Sequence, residues 1–311
     1  MKLRALSHYD GDTNTRFEDC VLLYDSTSLV VYDCGHTKHS EAVKEFVKSN
    51  QSISQIHIVV SHNDGDHTNG VIDLMTYLHD VKRTATIYSS LYLKSAKKVL
   101  ELLDDERRTL AATKQRILET FDNIKAIIEK AQEYNFAVKD GTINTAVSLC
   151  TIVGPKEDEF IEVVAQAIEN DTVTQIEGET VMNAASVQLK CKLDDAQTIL
   201  LCGDASPQYL HNIDSYDIIQ LPHHGKLDNA QEIFEKLKDS YIKTYLISDN
   251  TGSGTTSGGS DKLVQYMKDE CYNPALNTKG GVVNIPQSGF WTIPSSKPQG
   301  VKLGAVDYRF W

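Results

Sequence analysis

The stretch Ser61-His62-Asn63-Asp64-Gly65-Asp66-His67-Thr68-Asn69-Gly70 decides how the rest of this sequence is interpreted. A run rich in Ile and Val at 56–60 leads into it and predicts a buried β-strand. The apolar spacing of residues 71–78 then predicts a helix. Two imidazoles and two carboxylates therefore follow the end of a strand, where open α/β sheets usually carry their functional sites.

Four ligand-type side chains this close together would repel one another if they were buried without a cation. The simplest remedy is a divalent metal ion, and two ions suit the set better than one. A solvated turn stays open as an alternative, because such turns are the commonest use of Asp, Asn and Gly. A core histidine explains one imidazole but not the set. A calcium loop fails, because counting from Asp64 places Met75 where a bidentate Glu is required.

Length and composition limit the class of protein. The chain has 311 residues, 41% of them hydrophobic, which is enough for one large domain or two moderate ones, and we expect a single domain over 1–311. The net charge of −12 works against the binding of long nucleic acids, although a local basic patch could still bind them.

Six scattered cysteines without a CxxC pattern are typical of reduced thiols. Because no signal-like or membrane-spanning apolar run is present, we expect a cytoplasmic protein.

The segment 94–135 differs from the rest of the chain. Apolar residues recur in it at helical spacing, charges fill the positions between them, and Pro and Gly are absent. The pattern predicts one long helix or a helical hairpin broken near Asp104. A surface helix packed on the core, a lid over the site and a homodimer contact all stay open as its role. Farther on, the Gly/Ser/Thr-rich stretch 249–261 predicts a flexible loop.

The arrangement of an apolar run followed by ligand-type residues occurs twice more. Residues 199–202 lead into Gly203-Asp204, and residues 218–221 lead into Pro222-His223-His224-Gly225. Each instance is weak alone, because Gly-Asp is common and a His pair can cap a helix. Together they predict one metal centre, because every run delivers its polar groups to the end of a strand.

These motifs give the chain a resemblance to a known family. The pattern His62-x-Asp64-x-Asp66-His67 resembles the HxHxDH signature of metallo-β-lactamase-fold hydrolases, with Asp64 in place of the second His. Asp33-Cys34-Gly35 is similar to the early D-x-G turn of that family, and Gly203-Asp204 to its later strand end. The resemblance implies an α/β fold, an αββα sandwich, in which the segment 94–135 is a helical insertion.

Within that family, the ComEC-like competence hydrolases are the sub-group that this sequence resembles most. Asn183-Ala184-Ala185-Ser186 looks like their Asn-x-x-Ser strand, Pro222–Gly225 like their Pro-His-His-Gly motif, and Gly154-Pro155 like a strand end of theirs. The likeness covers roughly residues 15 to 250 and only the soluble hydrolase domain, so it does not imply DNA uptake. Two departures stand out: no His lies between 79 and 211, and none lies at 249–259, where the sub-group has a late one.

The resemblance, carried over residue by residue, implies two divalent metal ions, Zn or Mn. His62 and Asp64 would hold the first ion, and Asp66, His67 and His224 the second, with Asp204 bridging both. His223 and Asp66 are the predicted catalytic residues, His223 as proton donor to the leaving group, although the adjacent histidines could exchange roles. Asp64 is a harder ligand than His, which moves the preference towards Mn. Asp33 is expected to hydrogen-bond a metal-bound imidazole.

The function predicted from these residues is that of a dinuclear metal-dependent hydrolase. The favoured form is a phosphodiesterase or nuclease acting on a nucleotide or single-stranded nucleic acid, in which two cations turn a shared water into hydroxide. Its predicted partners are a small-molecule or nucleic-acid phosphodiester and a second copy through 94–135, with no membrane. One alternative keeps the fold and hydrolyses a lactone, thioester or amide. The other is a degenerate, non-catalytic binding or regulatory module, which loss of tight metal binding would favour.

Overall fold

A computed structural model of the chain describes residues 1–8, 18–90, 95–103, 109–169, 175–176, 179–249 and 260–286. Its strands are β1 (Lys2–Ala5), β2 (Val21–Tyr24), β3 (Ser28–Tyr32), β4 (Gln55–Val59), β5 (Thr86–Ser89), β6 (Ala137–Asp140), β7 (Ala146–Val147), β8 (Cys150–Gly154), β9 (Gln175–Ile176), β10 (Glu179–Thr180), β11 (Gln188–Lys192), β12 (Thr198–Leu201), β13 (Ile218–Gln220), β14 (Thr244–Ile247), β15 (Leu276–Asn277) and β16 (Val283–Ile285). Its helices are α1 (Thr37–Ser49), α2 (Gly65–Thr68), α3 (Val71–Asp80), α4 (Ala96–Leu103), α5 (Leu110–Thr120), α6 (Asp122–Glu133), α7 (Glu157–Glu169), α8 (Val181–Ala184), α9 (Pro222–Gly225), α10 (Leu227–Lys236) and α11 (Asp261–Asp269).

Two mixed sheets form the centre of the described part. The first has the strand order β16-β1-β2-β3-β4-β5-β6 and the second the order β15-β14-β13-β12-β11-β8-β7. Strands β3 to β6 run parallel to one another, as do strands β12 to β15. Their carboxyl ends meet at one edge, where the backbone N–H of Val187 donates to the carbonyl of Ser61 at 2.8 Å. This shared edge carries all three predicted ligand motifs.

The central strands β3 and β12 are buried on both faces, in agreement with their continuous apolar sequences. In β3, Leu29 and Val31 join a core with the helices α1, α3 and α6, whereas Val30 and Tyr32 join the core between the sheets. In β12, Ile199 and Leu201 face the other sheet, and Leu200 packs with α10 and α11. The layers are therefore helix, sheet, sheet, helix, and the predicted αββα sandwich is confirmed.

The segment 94–135 forms three helices within its described residues, so the prediction of one long helix or a hairpin is wrong. Helix α4 ends at Leu103, residues 104–108 lie outside the described residues, and α5 and α6 are separated at Phe121. Phe121 leaves the helical region at φ −114° and ψ 49°, and its ring is buried in the core of the first sheet. Because Val99, Ile117 and Ile127 pack in that same core, the segment is part of the outer helical layer.

Local sequence explains several of these elements. The apolar runs 21–24 and 29–32 form the hairpin of β2 and β3, and the acidic stretch 157–169 forms α7. Helix α1 begins at Thr37, because His36 caps it by accepting from the backbone N–H of Lys38. Most of the flexible loop predicted at 249–261 lies outside the described residues, and Asp261 already belongs to α11. No helix in the described part has the length and apolarity needed to cross a bilayer.

Candidate metal centre

Five of the predicted ligands form two overlapping groups at the shared edge. The ligand atoms of His62, His67 and Asp204 lie within 4.8 Å of one another, and so do those of Asp66, His67 and His224. His67 belongs to both groups. The sixth predicted ligand, Asp64, lies at the margin, with Oδ2 3.9 Å from Nε2 of His62. Side chains from the segments that follow β4, β12 and β13 thus converge on one place.

The loop after β4 presents its side chains from ordinary backbone conformations. Asp64 occupies the N-cap position of α2 at φ −69° and ψ 150°, and its side chain makes no cap hydrogen bond. Its carboxylate is 30% exposed and that of Asp66 28%, whereas His67 is fully buried. The loop therefore places its imidazoles inside and its carboxylates at the mouth of the site.

Asp33 orients His67. It lies beyond β3 at φ 58°, and its Oδ2 lies 2.9 Å from Nδ1 of His67. Its Oδ1 accepts from the backbone N–H of Ser61 at 2.7 Å, which ties it to the same loop. The predicted hydrogen bond between Asp33 and an imidazole is present. Because Nδ1 faces a carboxylate and carries the proton, Nε2 of His67 is left to face Asp204 at 3.4 Å.

Ser186 orients His62 in a similar way. Its hydroxyl donates to the carbonyl of Asn183 at 2.7 Å and lies 3.2 Å from Nδ1 of His62. Since its proton is already used, the Ser186 hydroxyl can only accept from Nδ1, and the hydroxyl of Ser61 lies closer to the same Nδ1, at 2.9 Å. Asn183 also donates from Nδ2 to Asp204 at 3.3 Å. Residues 183–186 span the end of α8 and the residues just after it and do not form the predicted strand, because β11 begins only at Gln188.

The two histidines after β13 lie in a left-handed turn. His223 has φ 52° and His224 has φ 55°, so α9 is not a regular helical turn, and Gly225 follows at φ 79°. Nε2 of His224 lies 3.2 Å from Oδ2 of Asp66 and 3.9 Å from Asp204. The ring of His223 is nearly perpendicular to that of His224, at 82°, with the centroids 5.9 Å apart. His224 therefore faces the other candidate ligands, and His223 lies beside them.

Asp19 is a residue that the sequence analysis missed. Its Oδ1 lies 3.2 Å from Nδ1 of His224, and its Oδ2 accepts from Gln220 at 2.9 Å and from the hydroxyl of Ser248 at 3.1 Å. The same Nδ1 lies 3.0 Å from the backbone carbonyl of Ser248, so this carbonyl and the buried Asp19 together orient His224. An acidic residue just before a strand carries no sequence signal that separates it from a surface Asp.

Gly35 allows the segments around the site to approach closely. A Cβ at this position would lie 1.8 Å from the carbonyl oxygen of Asp66, which no side chain tolerates. The same carbonyl accepts from the backbone N–H of Asp19, and Gly35 donates to the carbonyl of Asp19 at 2.9 Å. The D-x-G turn therefore holds both orienting carboxylates against the metal loop.

Charges at the centre favour opposite protonation states on the two kinds of side chain. Burial acts to raise the pKa of Asp204, but the neighbouring imidazolium charges, led by that of His67, hold it well below its usual range. Burial acts to lower the pKa of His67 and of His224, but the charge of Asp204 and of each one's orienting carboxylate raises both well above the usual value. His67, His224 and Asp204 therefore stabilise one another's charged forms.

The residues fit a pair of divalent cations. Nε2 of His62, Nε2 of His67 and Oδ1 of Asp204 are buried and have no hydrogen-bond partner among the residues that the structure describes. Buried polar atoms of this kind are normally satisfied, and here they point at one another across ion-pair distances. Imidazole nitrogens and carboxylate oxygens together suit Zn²⁺ or Mn²⁺.

Comparison with known proteins agrees with this architecture. No protein-family model matches the sequence, and no curated protein matches it either. Among solved structures, the metallo-β-lactamase fold protein YhfI from Bacillus subtilis is similar at a TM-score of 0.52 and 14% identity, over 91% of this chain and 98% of that one. Human tRNase Z, short form, is similar at a TM-score of 0.40 and 13% identity, over 92% of this chain and 100% of that one. The two facing sheets and the YhfI match together show that this chain has the metallo-β-lactamase fold.

Proposed function

We propose that this protein is a dinuclear metal-dependent hydrolase that cleaves a phosphodiester in a nucleotide or a single-stranded nucleic acid. The observation that carries the proposal is the pair of overlapping ligand groups that share His67. A structural ion pair needs one acid and one base, whereas here buried Nε2 atoms and a buried carboxylate oxygen are left unsatisfied together. Such an arrangement is costly unless cations complete it.

In this proposal each ion has its own ligands and Asp204 contacts both. His62 and Asp64 would hold the first ion, and Asp66, His67 and His224 the second. Two divalent cations, when bound, would supply an activated water and neutralise the oxygens of the substrate. Asp33 keeps the proton of His67 on Nδ1, and the Ser248 carbonyl with Asp19 beside it does the same for His224, so that each Nε2 can bind.

His223 is proposed to protonate the leaving group, and Asp66 to stand at the mouth where the reacting groups meet. His223 is largely buried but adjacent to the ligand His224, and its charge acts on Asp204. An imidazole titrates near neutral pH, so it can give a proton to a departing oxygen and regain it from water.

Two features support the choice of substrate. The likeness of residues 183–186 and 222–225 to ComEC-like hydrolases favours a phosphodiester. The net charge of −12 disfavours long duplex DNA, because counterion release gives such binding most of its affinity. A nucleotide or a short single strand suits the protein better. The homodimer through 94–135 and the cytoplasmic location stay predictions, and light scattering of the purified protein would test the first.

The experiment that tests the function starts from metal content. Purified protein is analysed by mass spectrometry for metals and then given bis-p-nitrophenyl phosphate with and without added Mn²⁺ or Zn²⁺. We expect about two ions per chain and turnover that Asp204→Ala abolishes. Asp269→Ala, an exposed carboxylate at the end of α11, is the matched control and should behave as wild type.

Two outcomes would contradict the proposal. If the protein binds metal but does not hydrolyse the phosphodiester, lactones, thioesters and amides become the better candidate substrates, because the same centre could polarise their carbonyl groups. No bound metal after supplementation would overturn the metal centre itself. The non-catalytic binding module would then be the better account.

A further inference from the structure

Helix α6 satisfies its N-terminus only in part by itself, through Oδ1 of Asp122, which accepts from the backbone N–H of Asn123 at 2.9 Å. The residue at its N-cap position is Phe121, which has no side-chain oxygen, and no side-chain cap hydrogen bond is made there. The first backbone N–H groups of a helix have no partner within the helix and need one from outside. At the third helical position, the N–H of Ile124 donates to Oδ1 of Asn63 at 3.0 Å. The cap of α6 thus comes from a residue 61 positions earlier in the chain.

Asn63 lies between two of the proposed metal ligands, His62 and Asp64. Its side chain is buried, with a relative exposure of 4%. Besides capping α6, it donates from Nδ2 to Oδ1 of Asp122 at 3.3 Å. Its own carbonyl accepts from Nδ2 of Asn123 at 2.7 Å. The side chain and the backbone of this one loop residue are therefore both held by the first turn of α6.

From these contacts we propose that the helical segment positions the metal loop and that Asn63 is the positioning residue that joins them. Asn63 is not one of the proposed ligands, because its side chain bonds to the first turn of α6. Its peptide groups set the directions in which the side chains of His62 and Asp64 leave the backbone, and metal geometry tolerates only small errors in those directions. The contact with α6 therefore acts on the first-ion ligands before any metal binds. In its metal-binding part, this inference rests on the proposed function.

The role is distinct from ordinary packing. The apolar side chains of α6, such as Ile127, already hold the helix on the first sheet. If Asn63 only added stability, its loss would lower the free energy of unfolding and leave the affinity of the folded protein for metal unchanged. If it positions the loop, its loss weakens metal binding in protein that is still folded.

The test uses full-length Asn63→Ala and Asn123→Ala, with Asn69→Ala as control. Asn69 is an exposed asparagine of the same loop, beyond α2. Mn²⁺ and Zn²⁺ dissociation constants are measured by competition with a chromophoric chelator at a temperature where every variant is folded. Hydrogen–deuterium exchange of the metal-free proteins is measured in parallel over residues 61–67 and 122–125.

We expect Asn63→Ala to raise the metal dissociation constant about tenfold, as for other residues that orient metal ligands. Both loop and helix amides should exchange faster together in this variant. Asn123→Ala removes only the contact to the carbonyl of Asn63 and should give a smaller change in the same direction. Asn69→Ala should match wild type in both measurements.

The outcomes separate this inference from the proposed function. If wild type binds metal and Asn63→Ala binds it as tightly, the positioning role is wrong and the metal centre stands. If wild type binds no metal but Asn63→Ala still loosens the loop and α6 together, the proposed function is wrong and the mutual positioning stands. Faster exchange in α6 alone would show a cap without influence on the loop, and would overturn the inference.

Discussion

Two short segments bring imidazoles to the same centre by different backbone geometry. The loop 61–67 uses ordinary conformations, and its histidines are five positions apart and both buried. The turn 222–225 places two adjacent histidines in the left-handed region, with their rings at 82° to each other. Spacing alone shows which side chains of the first segment can meet. In the second segment only the backbone decides which imidazole faces inward.

The two segments share one device, an orienting carboxylate from another part of the chain. Asp33 contacts Nδ1 of His67 at 2.9 Å, and Asp19 contacts Nδ1 of His224 at 3.2 Å. Both carboxylates are buried. Asp33 precedes Gly35 by two residues, and the backbone N–H of Gly35 donates to the carbonyl of Asp19. The comparison therefore predicts similar dependence on these carboxylates but different tolerance of change in the two backbones.

The largest effect is expected when the two adjacent histidines are replaced one at a time. His224→Ala should lose metal from the centre and lower phosphodiester turnover by about 10³-fold, because it removes a buried ligand. His223→Ala should keep its metal and lower kcat by about 10²-fold, as loss of a general acid does. Metal content and steady-state kinetics measure both, with exposed His79→Ala as control. If His223→Ala loses its metal and His224→Ala keeps it, the two histidines have exchanged roles.

A second difference concerns the glycines. Gly35→Ala places a Cβ 1.8 Å from backbone of the metal loop, whereas Gly225→Ala meets a side-chain methyl of Ile247 at 3.0 Å in a residue with φ 79°. We expect Gly35→Ala to lower the free energy of unfolding by about 3 kcal/mol or more, since backbone must move. Gly225→Ala should cost about 1–2 kcal/mol, mainly for the left-handed conformation. Urea unfolding of the metal-free variants measures both, and equal losses would contradict the comparison.

The orienting carboxylates should give a smaller and matched effect. Asp33→Asn replaces the acceptor of the His67 N–H, and Asp19→Asn removes the carboxylate charge beside the His224 N–H, which also faces the carbonyl of Ser248. Each should weaken metal binding about 10–100-fold. Chelator competition measures the affinities. An effect of Asp33→Asn alone would show that the turn 222–225 holds His224 without help from Asp19.

The pH dependence of metal binding tests both segments at once. The pKa values of His67 and His224 are raised in the metal-free centre, so both imidazoles hold an extra proton at neutral pH. A metal ion must displace these protons, and the apparent affinity should therefore rise with pH, by roughly tenfold per pH unit for each proton released. Titration calorimetry in buffers of different ionisation enthalpy counts the protons. Affinity that is constant with pH would show that the imidazoles are neutral before metal binds.

Much of the fold was predictable because its signals are local. Apolar runs indicated β4, β12 and β13, and the polar residues after them indicated a shared edge of the sheets. The apolar spacing in 94–135 correctly predicted helical structure, but it did not show the break at Phe121. That break depends on the place where the ring finds a buried position on the first sheet. Local pattern carries no information about such a position.

The sequence by itself determined that His62, Asp64, Asp66 and His67 stand at a strand end and that Asp204 and the His pair stand at two others. Those facts follow from hydrophobic runs and from spacing along the chain. Only the tertiary structure decided that His224 faces the other candidate ligands, that Asp19 orients it, and that Asn63 caps α6. Each of these depends on atoms that are distant in sequence and meet only when the two sheets and their helices have packed.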